Sequence, residues 1–191
     1  MSSMKLFGLF NKHSTPSAFD KIQGYDDLKQ IVSRALYAKD NYNLLFIGPP
    51  ASSKTLFLQG ILEIRKDAVY FDCSNTTNRI LDVLEEKRPK IILIDEIDKM
   101  SSRQFQNQLL NFMESGRVDV EQQRKRYHFE IKGAKVFAMT NDISRLSKPL
   151  QSRFRKLFLP KYSEQQFVEV AIKVLPKIGE NLAQYIGFTI W

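Results

Sequence analysis

Apolar residues along this chain form two patterns, short unbroken runs and runs at helical spacing, and the two alternate. Leu44-Leu45-Phe46-Ile47, Val69-Tyr70-Phe71, Ile91-Ile92-Leu93-Ile94, Lys135 to Thr140 and Lys156 to Leu159 read as strands. Unbroken apolar runs of this length mark strands covered on both faces, as in a parallel sheet. The first helix runs from Tyr25 to Lys39, with Leu28, Ile31, Val32, Ala35 and Leu36 on one face. A second helix opens at about Lys54, a third holds Ile80 to Leu84, and Phe105, Leu109, Phe112 and Met113 mark a fourth. The alternation predicts an α/β fold, a doubly wound parallel five-stranded sheet with helices on both faces.

Between the Glu114 helix and the Lys135 strand the period changes to two. Val118 and Val120 alternate with polar residues, Tyr127, Phe129 and Ile131 do the same, and a polar, basic turn lies between them. This reads as a β-hairpin. After Pro160 helical texture returns. Ser163 is an N-cap with Gln166 placed for a capping box, and Phe167, Val170, Ala171 and Val174 follow at helical spacing. Pro176 ends that helix, and another short one runs to about Ile186. The expected organisation is a flexible leader over 1–18, a main α/β domain over 19–161 and a partial helical lid over 162–191. Met4 to Phe10 in the leader is expected to be disordered or to dock on a neighbouring subunit, since it is short for a membrane-surface helix.

Composition narrows the class. The chain has 191 residues, 43% hydrophobic and 26% charged, which suits one sizeable globular domain with a small appendage. A single cysteine, Cys73, excludes an internal disulfide. No apolar run approaches the roughly 20 residues of a membrane span, and the N-terminus lacks the pattern of a signal peptide. A cytoplasmic location is expected. The net charge is +8, a balance that favours polyanions. Its distribution says more. Arg145, Lys148, Arg153, Arg155, Lys156 and Lys161 occur with no acid between them, and Arg124-Lys125-Arg126 form a second cluster. His128 has no second His or Cys near enough to suggest a metal site.

Two motifs carry chemistry. Gly48-Pro49-Pro50-Ala51-Ser52-Ser53-Lys54-Thr55, with Leu56 following, sits between a buried strand and a helix. That is the setting of a phosphate loop, in which backbone N–H groups and the helix N-terminus surround phosphates. Lys54 supplies positive charge to the outer phosphates, and the Thr55 hydroxyl is placed for magnesium. Ser53 stands where the usual pattern has a second glycine, at a cost if that position needs positive φ. In the second motif, Ile91 to Ile94 end in Asp95-Glu96. Acids at the carboxyl end of a buried strand lie at the ligand crevice of an open α/β sheet. Asp95 can hold magnesium directly or through water, and Glu96 can act as general base. Asp98 and Lys99 read as capping or interfacial residues.

Gly-Pro-Pro-x-x-x-Lys-Thr followed by Ile-Asp-Glu-Ile-Asp resembles the AAA+ ATPases, P-loop nucleoside-triphosphatases, and the resemblance covers the chain from about Phe19. It implies ATP and Mg2+ as ligands. Phe19 to Tyr25 is similar to the adenine-holding segment, which would place Ile22, Gly24 and Tyr25 in the base pocket. Lys135 to Asn141 resembles the strand ending in the polar "sensor 1" residue, so Asn141 would orient the lytic water. Leu150-Gln151-Ser152-Arg153-Phe154 resembles the arginine-finger segment, and Arg153 would reach, in trans, the nucleotide of an adjacent subunit. The resemblance therefore implies a homo-oligomeric ring, a hexamer by family habit. No "sensor 2" arginine is recognisable before Trp191, which suits a truncated chain, a site completed by another protein, or a lid with reduced nucleotide-coupled motion.

A hairpin ahead of the sensor strand is similar to that of archaeal- or bacterial-type members, namely Holliday-junction branch-migration motors of the RuvB kind and MCM-type helicases. Arg124, Lys125 and Arg126 would then contact nucleic-acid phosphates. The small, polar Cys73 to Thr77 segment lacks the aromatic pore loop of polypeptide-threading members. The leading expectation is an ATP-hydrolysing ring motor acting on nucleic acid. The alternatives are an ATPase that remodels a protein complex and a nucleotide-binding interaction module with little hydrolysis.

Overall fold

A computed structural model describes residues 16–74, 80–100, 102–122, 124–174 and 182. Residues 1–15 of the expected leader, residues 75–77 of the polar segment and the second lid helix lie outside these. The strands are β1 (Leu44–Ile47), β2 (Ala68–Asp72), β3 (Ile91–Asp95), β4 (Arg117–Gln122), β5 (Lys125–Glu130), β6 (Lys135–Thr140) and β7 (Arg155–Phe158). The helices are α1 (Asp26–Tyr37), α2 (Lys54–Ile64), α3 (Ile80–Lys87), α4 (Arg103–Ser115), α5 (Lys148–Ser152) and α6 (Glu164–Val174).

A 5-stranded parallel sheet runs in the order β2-β3-β6-β1-β7. The middles of its central strands are apolar because both faces are covered. Leu44, Phe46, Ile91, Leu93, Phe137 and Met139 point to one side and pack with Phe19, Ile22 and residues of α1 and α2. Leu45, Ile47, Ile92, Ile94, Val136 and Ala138 point to the other and pack with α3, α4 and the hairpin. The expected fold class holds, and so does the expected hairpin. β4 and β5 pair antiparallel, with Val118 opposite Phe129 and Val120 opposite Tyr127. Val118, Tyr127 and Phe129 are buried, so this small sheet seals α3 and α4 against the core.

Local chemistry explains several element ends. The Ser102 hydroxyl caps α4 by accepting from the Phe105 N–H at 3.4 Å. Helix α4 stops at Gly116, whose φ of +72° and 2.7 Å bond from its N–H to the Phe112 carbonyl form a left-handed C-cap. The capping box ahead of α6 is present in both directions, with Ser163 N–H on Gln166 Oε1 at 3.0 Å and Gln166 N–H on Ser163 Oγ at 3.3 Å. Helix α5 is not expected from the sequence, because 5 residues are too few to show a period. Among the described residues no helix is long and apolar enough to cross a membrane.

Candidate active site

The site forms where β1, β3 and β6 end side by side. Gly48 leaves β1 under a tight constraint. A Cβ there would lie 2.3 Å from the Leu159 carbonyl oxygen, so no other residue fits. The loop then needs left-handed backbone at Ala51 (φ +61°) and Ser53 (φ +62°). The cost expected at Ser53 is therefore real, since a side chain in this region is disfavoured by roughly 1–2 kcal/mol. Helix α2 begins at the next residue, and its first-turn N–H groups have no acceptor within the helix, the usual setting for an anion.

Lys54 is buried and folds back along the loop. Its Nζ donates to the carbonyls of Gly48 (2.8 Å) and Pro49 (2.5 Å) and to Ser52 Oγ (3.1 Å). Burial pulls the pKa of its ammonium down, and the carboxylates of Asp95 and Asp98 offset part of that. Ser52 Oγ in turn donates to the Pro49 carbonyl at 2.8 Å. The cation and the loop carbonyls thus keep each other satisfied.

A cavity of about 280 Å³ is lined by Pro50, Ala51, Ser53, Lys54 and Thr55 of the loop, Asp95 at the end of β3, Glu96 just after it, and Asn141 just after β6. These sequence-predicted residues are brought together. Gly48, Pro49 and Ser52 lie behind that wall as the lysine's backbone and hydroxyl partners. Leu56 packs on the α2 side of the core and is not part of the wall.

Asp95 is buried, and burial raises its carboxyl pKa. Oδ2 accepts from the Tyr70 hydroxyl at 2.6 Å, while Oδ1 is a buried oxygen without a hydrogen-bond partner. An orphaned carboxylate oxygen on the same cavity wall as the Thr55 hydroxyl is a donor set that suits a hard divalent cation. Among the described residues no group of three or more His, Cys, Asp or Glu could hold a metal.

Glu96 has left-handed backbone (φ +48°) and its Oε2 pairs with Lys99 Nζ at 2.7 Å. The end of β6 is tied down next to it. Thr140 Oγ1 donates to Asp98 Oδ1 at 2.7 Å and accepts from the Asp142 N–H at 3.0 Å, which holds the turn presenting Asn141. Cys73, across from this group, is buried, and burial with Asp72 and Asp95 pushes its thiol up to about 12.

The adenine-segment residues lie beside the cavity and not on its wall. Ile22 is part of the core under α2. Gly24 has φ +65° and Tyr25 φ +56°, the pair that turns the chain into α1. The Tyr25 hydroxyl donates to the Pro160 carbonyl at 2.6 Å, and its ring centroid lies 5.2 Å from that of Tyr162. Burial and Tyr162 push the Tyr25 hydroxyl up to about 12. Tyr162 donates to the Gln23 carbonyl at 3.0 Å and hydrogen-bonds with Ser53, joining the segment to the phosphate loop.

The remaining candidates lie elsewhere. Arg153 is at the surface, its guanidinium on Glu114 Oε1, with 2.7 Å from Nε. The basic hairpin cluster divides. Lys125 is not free at the tip, because it folds back onto Asp82 (2.8 Å) and Glu85 (2.9 Å) of α3 and over the Tyr127 ring. Arg126 lies 3.4 Å from Asp119, and Arg124 occupies the turn with φ +64°. Tyr70, the Thr140–Asp98 link and the pairing of Lys99 with Glu96 are not foreseen from the sequence. Tyr70 shares the strand parity of Asp72, but its reach to Asp95 requires knowing that β2 and β3 are neighbours.

The AAA pattern, described as the ATPase family associated with various cellular activities, matches residues 44–162. Human "Replication factor C subunit 4" is 25% identical to this chain over 200 aligned residues, covering 90% of the chain and 51% of that protein. The chain thus spans about half the length of this curated relative. The matched stretch runs from β1 through the phosphate loop and the acidic end of β3 to the residues just after β7, so every wall of the cavity falls inside it, and the chain belongs to the AAA family of ATPases.

Proposed function

We propose that this chain is the ATP-hydrolysing subunit of a ring, a homo-hexamer, that works on nucleic acid. The observation that carries the hydrolytic part is the meeting of Lys54, Thr55, Asp95, Glu96 and Asn141 on one cavity wall. Lys54 exchanges its loop carbonyls for the outer phosphates. Thr55 and Asp95 are the residues that would hold magnesium, which neutralises phosphate charge when bound. Glu96, released from Lys99, accepts a proton from the attacking water, and Asn141 orients that water. Ile22, Gly24 and Tyr25 flank the base. Arg153, released from Glu114, serves the nucleotide of the adjacent subunit. The nucleic-acid part is supported by the acid-free basic stretch from Arg145 to Lys161, by Arg124 and Arg126, and by the printed name of the human relative, a replication factor subunit.

A second reading has its own support. Lys125 and Arg126 are paired with acids of this chain, which leaves the hairpin less basic than its sequence, and the relative is by name one subunit of an assembly. Both suit an ATPase that remodels a protein complex. The two separate in one experiment. Turnover is measured with single- and double-stranded DNA and with RNA over a range of salt, on the parent and on Arg124→Ser/Arg126→Ser. The nucleic-acid reading expects stimulation that falls steeply with salt and disappears in the double variant, with ATP affinity unchanged. No stimulation by any nucleic acid at low salt overturns it and leaves the protein-remodelling reading.

A further inference from the structure

Asp95 faces two demands that its surroundings meet unequally. Its Oδ2 is taken by Tyr70 at 2.6 Å, and its Oδ1 is buried without a hydrogen-bond partner. The arrangement follows from the sheet. Tyr70 of β2 lies opposite Leu93 of β3, and Asp95 is two residues further along β3 on the same face. A tyrosine is long enough to bridge this diagonal, where the strands of a sheet are neighbours but a shorter side chain falls short. β2 is the edge of the sheet, and Tyr70 is 40% exposed, so little apolar burial accounts for its position. Asp72, directly across the ladder from Asp95, accepts at Oδ1 from the Ser74 N–H and hydroxyl.

We infer that Tyr70 is a positioning residue that makes Asp95 a one-oxygen ligand, and so selects a small octahedral cation over a larger one at the nucleotide site. With Oδ2 held by a phenol, closing on a cation with both oxygens competes with that hydrogen bond. Calcium accepts bidentate carboxylates and irregular geometry, whereas magnesium demands single oxygens at near-ideal octahedral positions. The bond leaves Oδ1 as the carboxylate oxygen without a partner and holds its angle, as second partners do for metal ligands elsewhere. The inference rests on the reading of Asp95 as a cation ligand made above.

The test is a fluorescent ADP analogue bound to the full chain and titrated with Mg2+ and separately with Ca2+, with a parallel measurement in EDTA. Tyr70→Phe keeps the ring and removes the hydroxyl, and its melting temperature checks the fold. The expected result is a rise of about tenfold in the half-saturating Mg2+ concentration, the scale for loss of a partner to a metal ligand. Ca2+ is expected to change less, so the preference for Mg2+ narrows, while nucleotide affinity in EDTA stays as in the parent. Asp95→Asn is the companion variant. If it shifts the Mg2+ titration and Tyr70→Phe does not, the inference is overturned and the reading of Asp95 stands. If Asp95→Asn leaves the titration unmoved, Asp95 is not a ligand and both fail. Equal loss of nucleotide affinity with and without cation in Tyr70→Phe shows a merely structural tyrosine and also overturns the inference.

Discussion

Ser53 holds a conformation that its side chain resists. Its φ of +62° is the one a glycine adopts freely, and the loop keeps it because Lys54 must follow at the first position of α2. Ser53→Gly removes about 1–2 kcal/mol of strain and returns about 0.5–1 kcal/mol as lost freedom on folding. A net stabilisation of about 0.5–1 kcal/mol is expected, read by urea denaturation of the nucleotide-free protein. Lys99 is a second residue with a defined effect. Its 2.7 Å pairing holds the Glu96 carboxylate, which under the proposed mechanism must leave it to act on water. Lys99→Met is expected to raise unstimulated turnover, by less than about fivefold because exposed ion pairs hold weakly. A fall in turnover would mean that the pairing orients the base and does not restrain it. The motif residues of this site are legible in the sequence because each belongs to a contiguous run. Tyr70 and Thr140 are not, because their partners lie 25 and 42 positions away.

Elements differ in how plainly the sequence announces them. β1, β3 and β6 are legible because both of their faces are buried, which removes every polar residue from their middles. β2 is half exposed at the sheet edge, and its ends run one residue beyond the expected Val69 to Phe71. β7 begins at Arg155, one residue before expectation, because its exposed cations carry no apolar signal. The hairpin is legible by its period of two, but its charge is not. Two acids of α3 decide where Lys125 of the Arg124-Lys125-Arg126 cluster points. Asp82 accepts from both Lys125 (2.8 Å) and the Tyr127 hydroxyl (2.9 Å), and Glu85 adds a third contact. Asp82→Ala is expected to loosen β4 and β5 as a unit, with faster amide hydrogen exchange over residues 117–130 and unchanged ATP affinity. If exchange is unaltered, the buried Val118 and Phe129 hold the hairpin without help from α3's acids.

At the scale of the whole molecule, the site is incomplete under the proposed mechanism. Arg153 sits at the surface on Glu114, away from the cavity that it would serve in a neighbour. Mixing Arg153→Ala chains with Lys54→Ala chains is expected to restore part of the turnover that each lacks alone, since some interfaces then pair an intact loop with an intact arginine. Absence of recovery in rings shown to be mixed would place Arg153 outside the chemistry. Following such assembly by spectroscopy is simplified by the chain's single thiol. Cys73 is 5% exposed, and its thiol is pushed up to about 12, so it offers neither access nor thiolate to a maleimide at neutral pH. A cysteine introduced at Phe158, 65% exposed on β7, would therefore carry a label alone, with the native residue left in place. The protein has a chemically silent background, and a reporter one residue before the Leu159 carbonyl that crowds Gly48 would sit next to the phosphate loop.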